Sequence, residues 1–220
     1  MPEQTQADLR KALKAIARDD EKANVARFYK GTTPGSKVLG VSIGKVFPIA
    51  KAFTDLPLEE VEALLEDDHY EIRMAAVAIL DFKARARKIT PAGRKALYDL
   101  YLRRHDRIDT WDLVDRAAPH VIGEYLKDKN RKPLHKLAAS PDPWRRRTAI
   151  VSTWAFIRTG ETKDTFEIAG LLAGDAHPYV QLAVASWARE AGKRDPEGLA
   201  AFLAAHKDRL PKKTLRDASK

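Results

Sequence analysis

The sequence predicts an all-α chain, a solenoid of stacked helix pairs whose inner helices line a concave basic groove. Three observations carry this. Apolar residues recur at helical spacing along most of the chain, and no stretch alternates convincingly as a strand. One helix-opening pattern returns three times at separations close to one and two helix pairs. Lys and Arg outnumber Asp and Glu by 40 to 31, a formal +9 with an isoelectric point near 9.6.

The elements follow in order. Positions 4–17 (Leu9, Leu13, Ile16) and 21–29 (Val25, Phe28) read as helices, with Asp19-Asp20 as an N-terminal cap between them. Positions 30–44 are the one irregular stretch, holding Thr32-Thr33-Pro34-Gly35-Ser36, Gly40 and Gly44. A phosphate-binding P-loop does not fit there. That motif needs four residues between its glycines and Ser or Thr after its Lys, whereas three separate Gly40 from Gly44 and Val46 follows Lys45. The stretch reads instead as a loop entering a helix over 46–53. At 220 residues the chain reads as a single domain, with N-terminal helices in 1–56 and paired-helix repeats in 57–220.

The repeats show in HYEIRMAAV (69–77), PWRRRTAIV (143–151) and HPYVQLAV (177–184), each behind a short acidic or Pro-bearing turn. Superposing Ala75, Ala149 and Ala183 aligns Arg73, Arg147 and Gln181, 74 and 34 residues apart. The missing repeat falls near residue 110. Aligning Ala117 there puts Asp115 in the same column. In a solenoid, Arg73, Asp115, Arg147 and Gln181 would line the concave surface as a polar stripe available to a bound partner, with neighbours roughly 8–10 Å apart. A ladder of salt bridges stiffening the stack is the competing reading of that stripe.

Trp111 and Asp115 stand four residues apart, so a helix presents both on one face. Taken alone, the pair is equally a buried Trp and a solvated Asp. With Trp144-Arg145-Arg146-Arg147 in the same chain, an indole and guanidinium groups together suit sugar faces and phosphates. Arg73 and Arg146 are further candidate contacts, followed by Lys45 and Lys213; for each, a solvated surface charge competes. Trp154 reads as core, and Tyr70, Trp144 and Tyr179 read as packing between helices.

Composition narrows the function. There is no Cys, which excludes disulfides, zinc thiolate sites and a cysteine nucleophile. Six His show no ligand spacing, so neither a metal nor a cofactor is expected. The opening MPEQTQADLR lacks a signal-peptide profile, and the longest apolar run, 74–80, is far too short to cross a bilayer. The chain reads as a soluble cytoplasmic monomer without membrane association, and its charge favours a polyanionic partner.

Trp111-Asp112-Leu113-Val114-Asp115 with Ala118-Pro119 and Gly123, then Trp144-x-x-Arg147 with Ala149-Ile150, resembles the bacterial alkylation-repair DNA glycosylases of the AlkD type, built from HEAT-like repeats. The resemblance spans most of the chain, from about Asn24 to Arg216, and includes VSTWAFIR (151–158) and Arg189-Glu190. It implies a cleft formed by Trp111, Asp115 and Arg147 that acts on duplex DNA, held mainly by its phosphate backbone, and excises cationic bases such as 3-methyladenine and 7-methylguanine. One departure stands out. Aligned on Arg189-Glu190, the position of the family's second cleft Trp is Ser186, with Trp187 one residue late, about 100° round a helix. The Lys and Gly of that pattern are Leu182 and Ala185. Two alternatives stay open: a DNA-binding homologue weak or silent in excision, and a HEAT-type protein-interaction scaffold.

Overall fold

A computed structural model of the chain describes residues 4–29 and 31–220. Positions 1–3, at the head of the segment read for a leader, and Lys30, at the head of the irregular stretch, lie outside the described residues. Among the described residues all repetitive structure is helical, and the one pairing of extended backbone is an isolated parallel bridge between Lys37 and His69. The chain divides into two compact units, 1–117 and 118–220.

The first unit holds α1 (Gln6–Ala15), α2 (Lys22–Phe28), α3 (Ile43–Ala52), α4 (Leu58–Leu65), α5 (Tyr70–Ala84), α6 (Pro91–Arg103) and most of α7 (Trp111–Ala118). Thr5 starts α1 with a reciprocal capping box to Asp8, and Leu9 and Leu13 are the residues this helix buries. Asp19 and Asp20 differ from expectation. They lie in a 3-10 turn, Asp19–Glu21, that makes no side-chain cap, because Asp20 pairs with Arg18 and Asp19 with Lys22. The helix expected over 46–53 forms one turn earlier, as α3.

Helix α5 is the centre of this unit and packs against α3, α4 and α6. Every residue from Tyr70 to Asp81 is buried, so it is apolar all round except where its polar groups are partnered. Glu71 accepts hydrogen bonds from the backbone N–H groups of Leu39, Gly40 and Val41 at 2.8–3.1 Å. That clamp gives the irregular stretch its course. Gly40 is required there: its φ is +88°, and a Cβ would lie 2.0 Å from the Arg18 carbonyl oxygen.

The second unit opens with a π-helical turn, Pro119–Gly123, where Pro119 cannot donate a backbone hydrogen bond. It continues through α8 (Glu124–Leu126), α9 (Lys132–Ala138), α10 (Pro143–Ser152), α11 (Trp154–Ile157), α12 (Lys163–Leu171), α13 (Pro178–Gly192), α14 (Pro196–His206) and α15 (Lys212–Ala218). Helix α13 is the hub, packing on α10, α12, α14 and α15. At Gly123 a Cβ would meet the Ser152 carbonyl oxygen at 2.3 Å, so only glycine lets these segments approach. The Arg131 guanidinium sits 3.9 Å from the centre of the Phe156 ring and pairs with Glu161 and Asp164. Trp144 is buried and the half-buried Tyr179 packs its ring 5.9 Å from that of Trp144, as expected, whereas Trp154, read as core, is half-buried.

Candidate nucleic-acid site

Local register decides which polar residues belong together. Helices α5, α10 and α13 have their N-caps at His69, Asp142 and His177, 73 and 35 residues apart. Thr110 precedes α7, and its carbonyl accepts from the N–H of Val114. Counted from these residues, the fourth position is Arg73, Val114, Arg146 and Gln181. The fifth is Met74, Asp115, Arg147 and Leu182. The alanine superposition therefore slips by one residue between α5 or α13 and the other two helices, and the single polar stripe it suggested is two different sets of positions.

The polar members of the fourth set share an internal task. Arg73 donates to the carbonyls of Asp67 and Asp68, Arg146 to those of Ser140 and Pro141, and Gln181 to those of Leu172, Ala173 and Asp175. Each satisfies carbonyls left over in the turn between two helices of a pair. This corrects three expected DNA contacts. Arg73 is fully buried and directs Nη2 at Tyr29, Ser36 and Asp109. Gln181 is 7% exposed. Arg146 is locked to Asp175 through Nε and Nη2 as well as to its two carbonyls, so each of its guanidinium nitrogens already has an internal partner.

In the fifth set, Asp115 is half-buried on α7, one turn below the half-buried Trp111, as their spacing predicts. Leu113, Val114, Ala117 and Ala118 are buried, so this helix keeps its apolar face inward and offers its other side to Trp111 and Asp115. Arg147 is 4% exposed and donates through Nη1 to the Tyr179 carbonyl. Leu182, by contrast, is 44% exposed. Trp187 is half-buried, its indole N–H donating to the Val151 carbonyl at 3.1 Å, so its polar edge is tied to α10. Lys45 on α3 and Lys213 on α15 are exposed, the latter 2.5 Å from Asp217.

The start of α7 carries an anchoring network that its sequence did not announce. Asp109, 3% exposed, accepts from the N–H groups of Thr32 (3.1 Å) and Thr33 (2.7 Å), from the Tyr29 hydroxyl and from Arg73. Burial alone would raise its pKa. The Thr33 hydrogen bonds, the Arg73 charge and the Tyr29 hydroxyl outweigh burial and hold the carboxyl below its ordinary range. Asp112 shifts the other way: burial pushes its carboxyl up, against hydrogen bonds from Thr110, Tyr70 and the Leu113 N–H. Acids at Asp109 and Asp112, on either side of the cap residue and Trp111, were the available signal.

The chain matches the model of a family described as DNA alkylation repair enzyme over residues 9–220. Among solved structures it is similar to a predicted DNA alkylation repair enzyme from Enterococcus faecalis, with a TM-score of 0.70 and 14% sequence identity over 93% of this chain and 95% of that one. That likeness bears on the fold. No curated protein matches the sequence. No helix among the described residues is long and apolar enough to cross a membrane. The family match spans nearly the whole chain, including α7 and the anchoring network at its start, and on that evidence the protein belongs to the DNA alkylation repair enzyme family.

Proposed function

We propose that this protein is a DNA glycosylase of the AlkD type that hydrolyses the N-glycosidic bond of cationic alkylated purines, such as 3-methyladenine and 7-methylguanine, in duplex DNA. The observation that carries the reading is that Trp111 and Asp115 lie one turn apart and half-buried, off the buried face of α7 formed by Leu113, Val114, Ala117 and Ala118, in a member of a DNA alkylation repair family. A purine alkylated at N3 or N7 is positively charged and leaves its sugar readily, so no acid need protonate it. What the departing base leaves behind is an oxocarbenium-like sugar, which needs a nearby negative charge and a water directed at C1′. Asp115 serves both needs. At about 4 Å and an effective dielectric near 20, a carboxylate stabilises that cation by about 4 kcal/mol, roughly a thousandfold in rate. The face of Trp111 lies against the deoxyribose and adds to the stabilisation. Arg147, 4% exposed and bound to the Tyr179 carbonyl, is given no phosphate contact in this reading.

The test is single-turnover release of both bases from methylated duplex DNA. Release above the spontaneous rate is the expected result, and tight DNA binding without release would sink the reading. That second outcome describes a DNA-binding homologue without efficient excision. One observation favours it: Ser186 stands where the family has a cleft Trp, and the Trp187 N–H is spent on Val151. A protein-interaction scaffold would bind no duplex even at low ionic strength.

Backbone contacts are expected from exposed cations rather than buried ones. Lys45→Gln and Lys213→Gln should each remove about one unit from the slope of log affinity against log salt. Fluorescence anisotropy titrations at several salt concentrations measure it, and an unchanged slope in a folded variant removes that lysine from the interface.

A further inference from the structure

Trp111 and Asp115 can act only if α7 is held at one rotation about its axis. With side-chain tips roughly 5–6 Å from that axis, a 20° turn moves them by about 2 Å, and a misplacement near 1 Å costs on the order of a hundredfold in a positioned reaction. The apolar face of α7 does not by itself fix this angle, because hydrophobic contact is non-directional. Directional contacts to α5 do: in the last turn of α7 Arg116 pairs with the buried Asp81 at 2.8 Å, and the first turn, beside Trp111, carries another. The Tyr70 hydroxyl, on the fully buried first residue of α5, donates to Asp112 Oδ2. The other oxygen, Oδ1, accepts from Thr110 Oγ1 at 2.6 Å and from the Leu113 N–H at 2.9 Å. Tyr70 is itself fixed, its ring 5.0 Å from that of Tyr29, whose hydroxyl lies 2.8 Å from Asp109 Oδ2. Asp112 is therefore held from α5 and from its own turn, one residue after Trp111 and three before Asp115.

We propose that Tyr70 and Asp112 are a positioning pair: the Tyr70 hydroxyl, by seating the Asp112 carboxylate, sets the rotation of α7 and so the directions of Trp111 and Asp115. The role of this pair in excision rests on the glycosylase reading, whereas its effect on the placement of Trp111 does not. What the pair requires of residue 112 is an acceptor of the right length, with or without charge.

This separates a positioning role from a catalytic one. Asp112→Asn can turn its carbonyl oxygen to the Tyr70 hydroxyl and its NH2 to Thr110 Oγ1, which then accepts, giving up only the Leu113 N–H bond, while Asp112→Ala and Tyr70→Phe remove one side of the Tyr70 contact. The expected result is single-turnover release within about threefold of wild type for Asp112→Asn, and ten- to a hundredfold slower for the other two, with duplex affinity within about twofold throughout. Asp112→Asn falling as far as Asp112→Ala would overturn the positioning role in favour of a required charge, and unimpaired release by both folded deletions would overturn it as well. A second measurement needs no activity. Protein labelled with 5-fluorotryptophan gives one fluorine resonance for each of its four Trp, and Trp111→Phe assigns that of Trp111. In Tyr70→Phe and Asp112→Ala this resonance should shift or broaden while the other three stay in place; if it stays in both, the pair does not position Trp111. A wild type that releases no base would defeat the glycosylase reading, and the fluorine spectrum would still decide the pair.

Discussion

Asp115→Asn should slow release of 7-methylguanine from duplex DNA by about a thousandfold while leaving duplex affinity within about twofold. The substitution keeps size, shape and one hydrogen-bond acceptor and removes only the charge. Attraction between that charge and the developing sugar cation is worth about 4 kcal/mol at an effective dielectric near 20, which sets the scale of the loss. Affinity survives because binding to duplex is dominated by phosphate contacts made elsewhere. Single-turnover rates at saturating enzyme, read beside anisotropy titrations of the same variant, check both parts. A loss below tenfold would mean that Asp115 is not the group that stabilises the cation.

The second large effect falls on stability. Arg73→Met should lower the unfolding free energy by about 3–5 kcal/mol, because it leaves the buried Asp109 carboxylate without its cation. For a chain of this size that corresponds to a fall in Tm of roughly 10 °C. The same change deprives the carbonyls of Asp67 and Asp68 of their donor and loosens the hold of Ser36 and Tyr29 on the irregular stretch. Thermal unfolding followed by circular dichroism measures the fall. Below the melting range the salt slope of DNA binding should match wild type, since Arg73 has no exposed surface to offer a phosphate. A variant of unchanged Tm with a shallower slope would reverse the assignment and return Arg73 to the interface.

These two residues mark how much of the site was legible in advance. The Trp111 and Asp115 pairing was readable because it is local: four residues on a helix place two side chains on one face whatever surrounds them. Arg73, Arg146 and Gln181 were misassigned because a polar residue recurring at repeat spacing serves a groove and an internal turn equally well in sequence. Only the carbonyls of the preceding turns, five to nine residues upstream, distinguish the two. The one-residue slip has a related cause. Alanine is abundant in closely packed helices, so it makes a poor marker of register, whereas the residue before the first turn is fixed by the backbone geometry that starts the helix. The anchors Asp109 and Asp112 escaped notice because their partners Tyr29, Thr32, Thr33, Tyr70 and Arg73 lie 36 to 80 residues away in the chain.

From the sequence alone it followed that the repetitive structure of this chain is helical, that its helices recur in pairs, and that an indole and a carboxylate share one face of α7. Each follows from helical periodicity, which acts over a few residues and leaves its trace in spacing. Which charges are buried and which exposed was decided by tertiary structure alone. Burying an ionised group is favourable only when specific partners compensate its lost hydration, and for Arg73 and Asp109 those partners come together only when distant segments fold onto α5.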